Sequence, residues 1–172
     1  MLRSLLIAAC LVGVPAAQAG IPDPDRQEVL QVVQRFLDAL AKKDTEALKA
    51  LVLPGTPITV LRPTPDGPAL RRRVVEDDLK TLPATSERLL ERMWNPTVLV
   101  QGRIATVWTP YDFHRDGKFS HSGIDVFTLL FTEGRWRIAS LAYTVEPEVP
   151  SAHPAGAPVN DPGSRPSSAH PN

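Results

Sequence analysis

The stretch from Tyr111 to Asp125, YDFHRDGKFSHSGID, consists of two segments around an Asp116-Gly117 dipeptide. Asp-Gly tolerates the two positive φ values that a primed two-residue turn demands, so a β-hairpin is expected here. With Arg115 and Lys118 flanking the turn, counting along the strands sets His114 opposite Phe119, Asp112 opposite His121 and Trp108 opposite Asp125. These are non-hydrogen-bonded pairs on one face, with Cβ atoms expected about 4.5 to 5.5 Å apart. A carboxylate and an imidazole can hydrogen-bond across that gap.

Period-two patterning continues on both sides. Strands are expected near Glu87 to Trp94, Thr97 to Gln101, Ile104 to His114, Lys118 to Thr132 and Arg135 to Val145, with Gly102-Arg103 and Glu133-Gly134 as further turns. Carrying the register through Glu133-Gly134 adds Phe127, Leu129, Phe131, Trp136, Ile138 and Ala142 to the face of Asp112 and His121. Tyr111, Phe113, Ile124, Val126, Leu141 and Tyr143 then fall on the other face, which reads as a subunit interface. Pro96 and Pro110 fall nearly opposite each other, so the ladder should break there and the sheet bend.

Upstream the periodicity is helical. Val29, Leu30, Val32, Val33, Phe36, Leu37 and Leu40 recur at helical spacing, and a second short helix follows an Asp44 cap before Pro54-Gly55. A short strand is expected at Ile58 to Leu61. A third helix is expected from about Arg73 to Leu82, with Arg72 and Glu76, and Arg73 and Asp77, paired across one turn and the triple Arg solvated. Helices followed by an antiparallel meander define an α+β class.

Residues 1–19 combine Arg3, an apolar run from Leu5 to Val14 and Ala-Gln-Ala, the plan of a cleaved signal peptide, so a secreted or periplasmic location is expected. The run is too short for a membrane span, and Cys10 follows too short a segment to favour a lipoprotein site. Cleavage would remove the one cysteine and leave 18 basic against 19 acidic residues, a balance that gives no reason to expect nucleic acid. Residues 147–172 are rich in Pro, Ser and Ala and read as a disordered tail, which leaves one domain over 20–146.

An apolar wall carrying acids and imidazoles is the composition of a ligand pocket. The candidate ligand-binding residues are Trp108, Asp112, His121, Asp125 and Trp136, and the candidate catalytic residues are Asp112, His121 and Asp125. Three readings stay open. The pocket binds a small hydrophobic or partly polar molecule; or Asp112 orients His121 as a general base while a protonated Asp125 donates to an oxyanion, as in an isomerase, dehydratase or cyclase; or the domain is a noncatalytic interaction module. The Asp–His pair is equally readable as a structural hydrogen bond. No metal is expected, because no HExxH or paired His/Cys motif supports one, and no cofactor, because Walker loops and dinucleotide fingerprints are missing.

With these elements in order, the segment from Glu91 to Pro147, above all YDFHRDGKFSHSGID and GRWRIASLAYTVEP, resembles the nuclear transport factor 2-like superfamily and its exported SnoaL-like bacterial members. The resemblance spans about Asp25 to Glu146. It implies a cone-shaped, cystatin-like α+β fold, with helices packed on a strongly curved antiparallel sheet around a pocket, and a homodimer paired through the sheet. Ketosteroid isomerases of that superfamily hold an oxyanion with a Tyr from the first helix, whereas 25–42 contains no Tyr or His here, which departs from their pattern.

Overall fold

Asp44 ends the first helix and starts the second: its carboxylate accepts the Ala47 N–H at 2.9 Å, satisfying one of the free donors at a helix start. In the computed structural model, which describes residues 24–146 and Gly156, α1 runs Pro24–Lys42 and α2 runs Thr45–Leu51. The expected leader at 1–19 and most of the expected tail at 147–172 lie outside the described residues. No described helix is long and apolar enough to cross a membrane.

β1 (Pro57–Arg62) follows, and then the chain departs from expectation. Ala69–Val74 is a strand, β2, and only Val75–Thr81 is helical, α3, closed by a 3-10 turn at Leu82–Ala84. The three arginines therefore alternate on a strand instead of lining a helix. Arg73 pairs with Asp78 through two bonds of 2.6 and 2.8 Å, and Glu76 accepts the Gly55 N–H at 2.8 Å, so neither expected one-turn pair forms. β2 gains its ladder by pairing antiparallel with β1, a tertiary contact that overrides the local helical reading.

The remaining strands are β3 (Leu89–Met93), β4 (Thr97–Gln101), β5 (Ile104–Arg115), β6 (Lys118–Thr132) and β7 (Arg135–Thr144). They form one sheet in the order β2-β1-β7-β6-β5-β3, with β4 also on β5. β1 pairs β7 in parallel, so the sheet is mixed and not wholly antiparallel. β3 and β4 lie end to end along β5, separated around Asn95 and Pro96 beside Pro110, where the prolines interrupt the ladder as expected.

Two bulges set the faces. At the Asp116-Gly117 turn, with φ of 51° and 80°, Arg115 pairs with Lys118 and His114 with Phe119. Ser120 is then an extra residue, so Phe113 faces His121, Asp112 faces Ser122 and Trp108 faces Val126. Ala139 is a second extra residue, between the pairs Leu129–Ile138 and Thr128–Ser140. A bulge moves every later side chain to the opposite face of its partner's frame. The expected Asp112–His121 and Trp108–Asp125 pairs are thus not formed, and Tyr111, Phe113, Leu141 and Tyr143 take the inner face in place of Trp108, Asp112, His114 and Ala142.

The inner face wraps α1. Val29, Val32, Val33 and Leu37 of α1 are buried with Val60, Val107, Phe127, Leu129 and Ile138 in one core. Phe36 and Phe127 meet edge to face with ring centroids 6.0 Å apart.

Candidate functional site

Alternation on each strand carries a set of polar groups to one end of the inner face, where the core gives way to a hollow. On β3, Leu89 and Glu91 pair with Arg115 and Phe113. On β6, His121 pairs with Phe113 and Asp125 with Thr109. On β1, Ile58, Val60 and Arg62 alternate inward, and Arg73 of β2 pairs with Ile58. Phe36 and Leu40 of α1 and Leu82 and Thr85 after α3 complete a cavity of about 260 Å³.

Its floor is an acid pair. Asp125 is buried, and it is hydrogen-bonded to Glu91, which is half-buried and lines the cavity. Two carboxylates cannot share such a place unless one keeps a proton. Burial, then the Glu91 charge and the hydrogen bond to it, hold the Asp125 carboxyl well above its usual range, so Asp125 is the donor. Burial pushes Glu91 up to about 7, against the lowering effect of the bond from Asp125 and with a further raise from Asp112. The Oδ2 atom of Asp125 is buried without a hydrogen-bond partner.

His121 stands beside this pair as an uncharged imidazole. Burial, followed by the Arg115 and Arg62 charges, lowers it to about 4. Its ring lies 5.1 Å from that of Phe113 and 5.8 Å from that of Tyr111, and Nδ1 is 3.1 Å from the Ser120 hydroxyl. Tyr111 is 1 % exposed, donates to the Thr144 carbonyl at 2.7 Å and is raised in pKa by burial, then by Asp125 and Glu91.

The residues singled out in the sequence separate into two groups. His121 and Asp125 line the cavity. Asp112 lies on the outer face, held by Arg92 through bonds of 2.9 and 2.5 Å, with His114 Nε2 at 3.4 Å. Arg92 also donates to the Gly156 carbonyl at 2.9 Å. Trp108 is 44 % exposed on the same outer face, beside Trp94, Pro110 and Ile124 in a second hollow of about 370 Å³. Trp136 is buried in the core against Phe131, with ring centroids 5.4 Å apart, and does not line the cavity. An Asp112-oriented His121 base is therefore not available. Glu91 was missed by the sequence reading, although its place at the centre of the expected strand Glu87 to Trp94, between Leu90 and Arg92, left a signal: an acid at an inward-facing parity.

Among the described residues no group of three or more His, Cys, Asp or Glu side chains is placed to hold a metal ion. What the arrangement can do is hold a small molecule against apolar walls and pass a proton between Asp125, Glu91 and that molecule.

Helices against a curved open sheet with a hollow at one end define a cystatin-like architecture, and solved structures agree. A nuclear transport factor 2-like protein from Cytophaga hutchinsonii superposes with a TM-score of 0.60 at 13 % identity, over 72 % of this chain and 99 % of that one. A candidate dehydratase of the same family from Streptomyces avermitilis gives 0.58 at 17 % identity over 75 % and 99 %. The beta subunit of a candidate aromatic-ring-hydroxylating dioxygenase from Novosphingobium aromaticivorans gives 0.60 at 12 % over 78 % and 97 %. No protein-family model and no curated protein matches the sequence. The chain has the nuclear transport factor 2-like, cystatin-like α+β fold.

Proposed function

We propose that this protein binds a small, mainly apolar molecule in the cavity between α1 and the curved sheet. The observation that carries the reading is a proton-sharing acid pair and an uncharged imidazole set among Phe36, Leu40, Leu82 and Leu141. Buried carboxyl groups cost stability, so a core that only had to pack would replace them with apolar side chains. The volume of about 260 Å³ lies just below the ~300–1,000 Å³ of drug-sized ligand sites, which fits a ligand of modest size. Export through residues 1–19 and pairing of two copies through the outer sheet face belong to the same proposal. The exposed Leu99, Ile104, Trp108 and Leu130 all stand on that face and support the pairing.

The test is native mass spectrometry of protein purified from its own host, followed by NMR of the complex. A retained molecule that shifts the His121 ring resonances supports the reading. A ligand that shifts Trp108 and Ile124 while leaving His121 unmoved overturns it.

One observation favours catalysis at the same place. A carboxyl group at about 7 beside a protonated carboxyl is a base and an acid poised for proton transfer near neutral pH. On this second reading Glu91 takes a proton from the bound molecule and Asp125 donates one, an isomerase, dehydratase or cyclase chemistry. Turnover lost in Glu91→Gln with ligand affinity retained would establish it; turnover surviving that substitution would dismiss it.

A further inference from the structure

The cavity wall carries three guanidinium groups, Arg62, Arg73 and Arg115. Two of them are already answered. Arg73 is held bidentately by Asp78 at 2.6 and 2.8 Å and also donates to the Tyr143 hydroxyl at 3.3 Å. Arg115 is paired with Glu87 at 2.7 Å. Arg62 makes no ion pair among the described residues, and its Nε is buried without a hydrogen-bond partner. A buried donor left without an acceptor costs about 1–3 kcal/mol, and more when the group is charged.

The other charges in the cavity do not supply that acceptor. Asp78 is committed to Arg73, and the Glu91–Asp125 pair carries at most one negative charge because Asp125 keeps its proton. His121 is neutral, held so in part by the Arg62 and Arg115 fields. Below about pH 7, where Glu91 keeps its proton as well, the hollow is therefore net positive, with one unanswered guanidinium Nε on β1 in a cavity also lined by Leu40, Leu82 and Leu89.

We infer that the ligand of this cavity is a monocarboxylate on a small apolar body, its carboxylate received by Arg62 and its body lying against the leucines. This inference rests on the cavity-binding reading and names the class of molecule for it. A planar guanidinium fork matches a carboxylate with two parallel hydrogen bonds. One unpaired guanidinium balances one charge, whereas a phosphate dianion would leave a second charge next to the acid pair. A neutral amide carbonyl can accept one bond from Arg62 but leaves its charge unbalanced and forms no second parallel bond, so preference for the acid over its neutral isostere follows from the charge and the bidentate match.

The experiment compares three acids, benzoate, 3-phenylpropanoate and octanoate, with their primary amides, which keep shape and lose charge. Binding to the full chain is followed by NMR at His121 and by calorimetry at pH 6.0, where Glu91 keeps its proton and His121 is neutral. At least one acid should bind 10-fold or more tightly than its amide, and Arg62→Gln should reduce that ratio to within 2-fold, with Arg62→Lys falling between. Equal binding of acids and amides to the unmodified protein overturns the carboxylate inference and leaves the cavity reading standing. An acid preference that persists in a folded Arg62→Gln also overturns it. If neither acids nor amides perturb His121 at millimolar concentration, the cavity reading falls and the inference with it. The acid-to-amide ratio in the unmodified protein decides the matter even if Arg62→Gln does not fold.

Discussion

Glu91 of β3 and Asp125 of β6 are hydrogen-bonded to each other across the intervening strand β5, so that one proton serves two carboxyl groups. Much of the behaviour of the domain follows from that pair.

The pair makes stability depend on pH in a direction opposite to the usual carboxylate. A buried acid whose folded pKa is raised contributes its stability fully below its unfolded value and loses it as pH rises through the folded value. For Glu91 that loss runs from about 4.5 to about 7. His121 acts in the other sense: its folded value is lowered from 6.5 to about 4, so its contribution is present above 6.5 and is lost as pH falls toward 4. The two oppose each other between about 4.5 and 6.5, and above 6.5 the acid pair acts alone. Urea midpoints should therefore fall as pH rises from 6.5 through about 7. Glu91→Gln should be more stable than the unmodified protein at pH 8, on the order of 1–2 kcal/mol, with the gain vanishing near pH 4.5. A flat profile above pH 6.5 would contradict the shared proton.

His121 should titrate near 4 in ring-selective NMR, well below a solvated imidazole. Because the Arg115 charge contributes to that depression, Arg115→Gln should move the midpoint upward. A midpoint near 6.5 in the unmodified protein would place the ring in open solvent.

Asp112 should matter mainly for stability, reaching the cavity only through the effect of its charge on Glu91. Asp112→Asn removes the bidentate partner of Arg92, whose side chain is only 17 % exposed. Loss of one member of a largely buried pair should cost about 2–3 kcal/mol, read as a lower denaturation midpoint. The His121 midpoint, to which Asp112 does not contribute, should stay where it was, while Glu91 should titrate lower.

Gly123 stands where the end of β7 crosses close over β6. A Cβ there would sit 2.1 Å from the Thr144 carbonyl oxygen, the acceptor of the Tyr111 hydroxyl. Gly123→Ala should cost ~3 kcal/mol or abolish folding, and should free the Tyr111 hydroxyl. Gly134, at φ 73° with open space around it, should lose only ~1–2 kcal/mol on the same change. Equal effects at the two sites would argue against the close crossing.

Local chemistry in the sequence determined a good deal. The helical spacing from Val29 to Leu40, the Asp44 cap, the turns at Asp116-Gly117 and Glu133-Gly134 and the proline break at Pro96 and Pro110 all rest on residues near one another in the chain, and each stands in the structure. From these the α+β class and the hairpin were legible. His121 and Asp125 were also found as cavity residues, though with the wrong neighbours.

What only the tertiary structure decided is which side chains meet. Ser120 on β6 and Ala139 on β7 are each one residue extra against the partner strand, and a bulge has no local sequence mark comparable to an Asp-Gly turn. Each extra residue reverses inside and outside for everything beyond it, which sent Asp112 to Arg92 and brought Tyr111, Phe113 and Tyr143 inward. The parallel β1–β7 pairing and the Glu91–Asp125 contact join residues tens of positions apart, and the strand made from the arginines takes its ladder from β1 across a loop, so in each case only the folded sheet sets the distance.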